Sequence, residues 1–312
     1  MIVGVSPAIR RALALAERYA RTRLPILLVG ATGTGKELFA QHIHERSGRA
    51  GLLVDVNCCA LPRDMVESLL FGHRRGAFTG AIDSAVGHLE RSDGGTLFLD
   101  ELASLALDAQ GKLLRALDTG EVQPLGATAK RRVDLRVVSA VQDGFGGDIE
   151  CGVFRRDLYQ RVAGVVIELP PLTARPEDVF PLAEHFAALS ARRLEPGVER
   201  VLLSYAWPGN VRELRLVIER AGELVGNGTL PSAALAEAIA LGNAHSKAPG
   251  PPFVRSRAEV LTVLQSNHWD VQRAAAALHV GRTTLFKELK ALGISLRAER
   301  KSTRPPAFSE RS

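Results

Sequence analysis

Five short apolar runs punctuate the first half of the chain, each bounded by glycine, proline or polar positions and separated by stretches long enough for a helix. They are Ile26-Leu27-Leu28-Val29, Leu52 to Val56, Thr96 to Leu99, Leu135 to Val141 and Val165 to Leu169. Runs of this kind mark strands buried on both faces, so the pattern predicts a parallel sheet covered by helices. After the first run, Leu38, Phe39 and Ile43 recur at helical spacing, which gives strand, loop, helix. From Pro176 onward the strand signal stops. Val179, Leu182, Ala183 and Phe186 fall on one helical face and Val211, Leu214, Val217 and Ile218 on another, predicting a small helical domain to about Leu241.

Residues 242–254, with Pro249, Gly250, Pro251 and Pro252, have the composition of a linker. A new pattern follows: Arg257 to Gln265 is periodic, Val271 to Leu278 is alanine-rich, Gly281 marks a turn, and Thr284 to Leu292 is periodic again. This predicts a helix-turn-helix over 255–296. Asp270 is placed to cap the second helix, while Leu285, Leu289 and Leu292 hold the third to the core. Arg282, Thr283, Thr284 and Lys287 then face outward where such helices reach bases and phosphates. A helical hairpin used for protein contact would show the same pattern. The polar, arginine-rich stretch 297–312 predicts a disordered tail.

A length of 312 residues exceeds one compact domain of usual size, and 46% hydrophobic content is ample for buried cores. The expected division is an α/β subdomain over 1–172, a helical subdomain over 173–241, the linker and the helix-turn-helix. Net charge +6 suits a nucleic-acid partner without requiring one. Three cysteines, Cys58, Cys59 and Cys151, cannot all pair within the chain, which fits a reducing cytoplasm. No long apolar run points to secretion or a membrane.

Candidate chemistry lies at the ends of two predicted strands. Gly30-Ala31-Thr32-Gly33-Thr34-Gly35-Lys36 has the glycines that let backbone N–H groups turn onto phosphate oxygens and the lysine that reaches the outer phosphates. Glu37 replaces the usual Ser or Thr. Leu97-Phe98-Leu99-Asp100-Glu101 delivers two carboxylates at a strand's carboxyl end, with Asp100 suited to Mg²⁺ through water and Glu101 to orienting an attacking water. Between these motifs lies Gly76-Ala77-Phe78-Thr79-Gly80-Ala81, a glycine-flanked loop that no phosphate chemistry requires. Its Phe78 stands between small residues and cannot pack within its own hexapeptide.

The combination resembles the sigma-54-dependent bacterial transcriptional activators, enhancer-binding proteins of the AAA+ class, from about Val3 to about Ile294. The resemblance implies an AAA+ fold with a helical lid and a Fis-type DNA-binding domain. It also implies ATP and Mg²⁺ as ligands, with Thr34 or water completing the metal shell beside Glu37. By the same resemblance, Asn57 holds Glu101 inactive until the site is engaged, and Arg212 senses the γ-phosphate within its own subunit. Arg155 and Arg161 match fingers inserted into a neighbouring subunit's site, which implies a homo-oligomeric, hexameric ring; composition alone reads them as a solvated helix face. The 76–81 loop, chiefly Phe78 and Thr79, is implied to engage sigma-54 in the RNA polymerase holoenzyme, with double-stranded enhancer DNA as the second partner. Where the family usually has Ala-Thr-Asn, this chain has Ala140-Val141-Gln142-Asp143; Gln142 can still donate toward the γ-phosphate or the water. With the core beginning almost at Met1, control is expected to be absent, exerted by another protein in trans, or carried by a segment truncated from this sequence. The expectation is a cytoplasmic, DNA-tethered ring ATPase, with a non-hydrolysing DNA-binding regulator as the alternative.

Overall fold

The computed structural model describes residues 2–226, 228–243, 257–267 and 269–278, with the single positions 285, 289, 292, 294 and 296. Each predicted apolar run lies on a strand of one parallel sheet. The strands are β1 (Ile26–Val29), β2 (Leu53–Asn57), β3 (Thr96–Asp100), β4 (Arg136–Val141) and β5 (Val165–Glu168), in the order β2-β3-β4-β1-β5. Central β4 is buried at every position, as a strand flanked on both edges and covered on both faces must be. Edge strand β2 instead alternates, burying Val54 and Val56 while Asp55 and Asn57 face outward.

Helices α1 (Pro7–Ala20) and α2 (Lys36–Ser47) close one face, where Ile9, Ala12 and Ala16 meet Phe39 and Ile43 over Leu28 and Val138. Arg136 at the start of β4 is buried, and its guanidinium donates to the Tyr19 and Thr22 carbonyls at the end of α1. Tyr19 O also accepts from Thr22 N and Thr22 Oγ1, and a cation suits that end of the helix dipole. Burial, reinforced by Arg49, pushes the Arg136 pKa down to about 10.

Helices α3 (Leu107–Thr119) and α4 (Arg156–Val162) pack together on the α/β part. Two hairpins project from this part. Gly72–His73 pairs with Ala85–Val86, and Glu121–Val122 pairs with Arg131–Arg132. They brace each other through Arg74 N to Leu125 O and Leu125 N to Gly72 O, both 2.9 Å.

The lid contains α5 (Val179–Leu189), α6 (Glu199–Ser204), α7 (Asn210–Val225) and α8 (Ser232–Asn243), packed around Trp207, Leu214, Val217, Ile218 and Leu235. Trp207 satisfies its indole N–H on the Leu202 carbonyl at 2.8 Å. A parallel pair, Arg193–Leu194 with Thr229–Leu230, departs from the all-helical expectation; two-residue strands are too short to leave a period in the sequence.

The chain divides into two compact units, Met1–Phe145 with Val153–Ser246, and Gly146–Gly152 with Lys247–Ser312. In the second, α9 (Arg257–Ser266) and α10 (Val271–Ala277) bury Val260, Leu264, Val271, Ala274 and Ala275 with Leu285 and Leu289. Asp270 Oδ1 caps α10 by accepting from Gln272 N at 2.9 Å and Arg273 N at 3.0 Å. Arg282, Thr283, Thr284 and Lys287 lie outside the described residues, as do 244–254 and 297–312. Among the described residues no helix is long and apolar enough to cross a membrane.

Candidate functional site

The loop from β1 to α2 is shaped by two glycines and a buried lysine. Gly33 has φ +80°, and a Cβ there would lie 2.3 Å from the Gly209 carbonyl oxygen; Gly35 has φ +106°. No larger residue fits the first position, and both need the left-handed region. Lys36, only 7% exposed, donates Nζ to Gly30 O at 2.7 Å and Ala31 O at 3.3 Å. Burial pushes its ammonium pKa down and Arg212 adds to this, while Glu101, Asp100 and Asp143 pull it up. Thr34 is buried and its hydroxyl donates to Ala31 O at 2.8 Å. Ala31 and Thr32 complete the loop, their carbonyls taken by these internal donors and by the lid.

The lid is bonded to this loop directly. Val211 N donates to Gly33 O at 3.0 Å, and Arg175 donates to Thr34 O at 3.1 Å. Asn210, at φ +54°, spans both parts: Nδ2 donates to Thr32 O at 3.0 Å and Oδ1 accepts from Leu172 N at 2.7 Å. Arg175 and its ion-pair partner Asp178 are both buried, and Asp178 accepts from Ser6 N and Ser6 Oγ at 2.7 Å each. Asn210, Arg175 and Asp178 are absent from the sequence-derived site. An Asn after Pro-Gly at a helix start is the signal that could have found the first.

On the acidic side, β3 ends at Asp100, whose Oδ1 accepts from Glu101 N at 3.0 Å. Glu101 has φ +51°, a left-handed conformation that costs a non-glycine residue about 1–2 kcal/mol. Its carboxylate is bonded by Gln142, whose Nε2 lies 3.0 Å from both Oε1 and Oε2. Two expected site residues make other contacts in this structure. Asn57 instead turns its Oδ1 to Cys59 N at 3.0 Å and Ala60 N at 3.2 Å, capping the turn after β2. Gln142 addresses the carboxylate rather than the space beyond it, because its extra methylene carries the amide that far. Asp55, on the same sheet face as Asp100, has its carboxyl pushed up by desolvation and then by the charges of Glu37 and Asp100. Neighbouring Cys58 is buried and its thiol is pushed up to about 12, chiefly by that burial, so it is no nucleophile.

Lys36, Glu37, Asn57, Asp100, Glu101 and Arg212 all line one cavity of about 430 Å³. Beside it, Ile2, Val3, Leu182, Phe186 and Val211 line an apolar recess of about 70 Å³. A polyphosphate fits the polar part: amides at the α2 N-terminus and a lysine meet its charge, and carboxylates stand opposite to hold a divalent ion and a water.

Other expected residues lie elsewhere. Arg155 makes a bidentate pair with Asp157 at 3.0 and 2.7 Å, and Arg161 pairs with Asp118 at 3.2 Å, both on the solvent side. Neither lines the cavity. The 76–81 loop is the tip of the first hairpin, closed by Gly76 N to Ala81 O at 2.9 Å and Ala81 N to Phe78 O at 3.0 Å. Phe78 finds a partner outside the hexapeptide, stacking edge-on against His73 at 5.1 Å, and stays 40% exposed; Thr79 and Gly80 are exposed, and Ala77 partly so.

A parallel sheet with a glycine-rich loop after β1, an acidic pair ending β3 and a helical lid bonded to the loop defines an AAA+ P-loop ATPase domain. Residues 2–168 match the Sigma-54 interaction domain family and residues 173–252 the AAA+ ATPase lid domain. The chain belongs to the sigma-54-dependent transcriptional activators. It is 49% identical over 228 residues to the nitric oxide reductase transcription regulator NorR2 of Cupriavidus necator, covering 70% of this chain and 44% of that protein. It is 36% identical over 330 residues to the DNA-binding transcriptional regulator NtrC of Klebsiella pneumoniae, covering 94% and 70%. Brucella abortus NtrX, solved in complex with ATP, superposes with TM-score 0.70 at 30% identity, over 94% of this chain and 70% of that one. A Thermotoga maritima RuvB structure, at 15% identity and TM-score 0.58, shares the fold over 97% of this chain and 96% of that one.

Proposed function

We propose that this chain binds ATP with Mg²⁺ in the 430 Å³ cavity, hydrolyses it, and uses the cycle to remodel sigma-54 RNA polymerase closed complexes into open ones. The observation that carries this is convergence: a buried lysine, two carboxylates and a lid arginine from separate elements line one cavity beside an apolar recess that suits a base. Loop amides from Gly30 to Glu37 and Lys36 draw the phosphates in. Glu101 orients the attacking water, and Arg212 reports the γ-phosphate to the lid. Desolvation pushes the Asp55 carboxyl up, and the charges of Glu37 and Asp100 add to it, so this edge of the cavity favours a cation. Asp100 would hold Mg²⁺ through water, and the ion supplies charge neutralisation on the phosphates.

Arg155 and Arg161 act in trans in a hexameric ring, exchanging Asp157 and Asp118 for a neighbour's phosphates. Phe78 and Thr79, on the exposed tip between Gly76 and Ala81, grip sigma-54. A Fis-type helix-turn-helix over 255–296, through Arg282, Thr283, Thr284 and Lys287, holds the protein on double-stranded enhancer DNA in the cytoplasm.

Paired variants test the chemistry. Lys36→Ala should lose nucleotide binding, whereas Glu101→Gln should bind and not turn over, because the lysine acts on ground-state charge and the glutamate only on the water. Equal steady-state rates in wild type and Glu101→Gln would overturn the assignment.

A further inference from the structure

The catalytic-site geometry contains a contact that neither phosphate binding nor water activation explains. One amide nitrogen of Gln142 lies 3.0 Å from each oxygen of Glu101. A donor equidistant from both oxygens sits on the bisector of the carboxylate, over the lone pairs that face each other. A water offering its proton to Glu101 from that side meets an occupied acceptor. The backbone N–H of Glu101 is committed to Asp100, so it leaves the carboxylate free to swing, and Gln142 is what fixes it.

Gln142 is also rooted where phosphate binding is felt. It follows Val141 at the carboxyl end of β4, and Val141 O accepts from Gly30 N, the first residue of the glycine-rich loop, at 3.2 Å. Movement of that loop is therefore transmitted through one peptide to the Gln142 side chain. The amide oxygen of Asn57 is turned to Cys59 N and Ala60 N, and no bond from Asn57 to Glu101 is present among the described residues. Asn at position 142 would be a methylene too short to span the same gap.

We propose that Gln142 is a latch on Glu101: a positioning residue that keeps the carboxylate turned from the attacking water until nucleotide engagement pulls the amide away. This rests on the hydrolytic reading above and adds a restraint to it. Removing the latch should speed hydrolysis, the opposite of what loss of a phosphate- or water-binding amide would do.

The test uses the full chain and three proteins: wild type, Gln142→Met, which keeps the length and removes the donor, and Gln142→Asn, which keeps the amide and removes the reach. Nucleotide binding is followed with a fluorescent ATP analogue, and kcat and KM with steady-state phosphate release. Both variants should raise kcat by about three- to tenfold with KM for ATP unchanged, the range of an ordinary hydrogen bond, because solvent exposure screens this one despite the charge on Glu101. If Gln142→Met fails to fold, Gln142→Asn alone gives the readout. A kcat that is unchanged or lower in the folded variants, with an active wild type, overturns the latch. An inactive wild type with an active variant supports it. Nucleotide binding without turnover in all three proteins instead overturns the hydrolytic reading, and the latch with it.

Discussion

Asn210→Ala is the substitution that most directly tests how lid and phosphate loop are held as one body. The side chain is 3% exposed and makes two bonds across that boundary, to Leu172 N at 2.7 Å and to Thr32 O at 3.0 Å. Alanine leaves the buried Leu172 N–H without its acceptor, costing about 1–3 kcal/mol, and removes a net stabilisation of about 0.5–1.5 kcal/mol at Thr32. It also places a non-Asn residue at φ +54°, which adds roughly 1 kcal/mol. The sum is about 3–5 kcal/mol, a large share of the roughly 5–15 kcal/mol that stabilises a typical domain. At roughly 2–4 °C per kcal/mol for a unit of this size, Tm should fall by about 6–20 °C.

Two further variants separate the terms. Asn210→Gly loses both bonds but adopts the left-handed backbone freely, so it should be about 1 kcal/mol more stable than alanine. Asn210→Asp keeps an acceptor for Leu172 N but buries a charge and turns a carboxylate oxygen on Thr32 O, so it should also be destabilised, and its added charge should weaken nucleotide binding. Urea unfolding and nucleotide titration on the same preparations check this. Alanine within about 0.5 kcal/mol of wild type, a difference expected only of surface sites, or glycine less stable than alanine, would refute the tether.

The pH dependence of nucleotide binding should report Lys36. Burial holds its pKa below the ordinary 10.5 in the free protein, and a bound phosphate raises it again, so binding takes up a proton between those two values. Affinity should therefore fall as pH rises through the lower pKa and be insensitive to this group below it; calorimetry in buffers of different ionisation enthalpy measures the uptake, and a binding constant flat up to pH 10.5 would exclude it. Phe78→Ala should cost only about 1 kcal/mol, since the ring is 40% exposed and keeps one edge-on aromatic contact, yet reduce open-complex formation far more than ATP turnover. Melting, ATPase and in vitro transcription on one preparation decide it, and retained transcription would remove the loop's role in gripping sigma-54.

Much of the architecture was legible because it is local or one-dimensional. Leu27, Phe98 and Val138 belong to runs whose burial on both faces leaves no other pattern available, and the lid helices carry a plain 3.6 period. The loop at Gly33 was legible because its glycine and lysine spacing is a local motif, whereas its close approach to the Gly209 carbonyl was not. What was illegible depends on contacts between distant segments. Asn210 and Thr32 are 178 positions apart, and Ser6 and Asp178 are 172 apart; in each case a short polar side chain looks like an ordinary turn or cap residue until the partner is in place.

The Val141-Gln142 pair shows how such contacts change the meaning of a departure from a family pattern. Read as sequence, Thr to Val and Asn to Gln remove one hydroxyl and displace one amide. In the fold, Val141 is fully buried beside Val29 while its carbonyl still receives Gly30 N, so the main chain keeps its link to the phosphate loop without the hydroxyl. The displaced amide then reaches a carboxylate that the shorter one would miss. A strand end that loses polar groups on paper thus gains a direct bond to Glu101, and the consequence for rate has the opposite sign from simple loss: restraint that is released, rather than assistance that is missing.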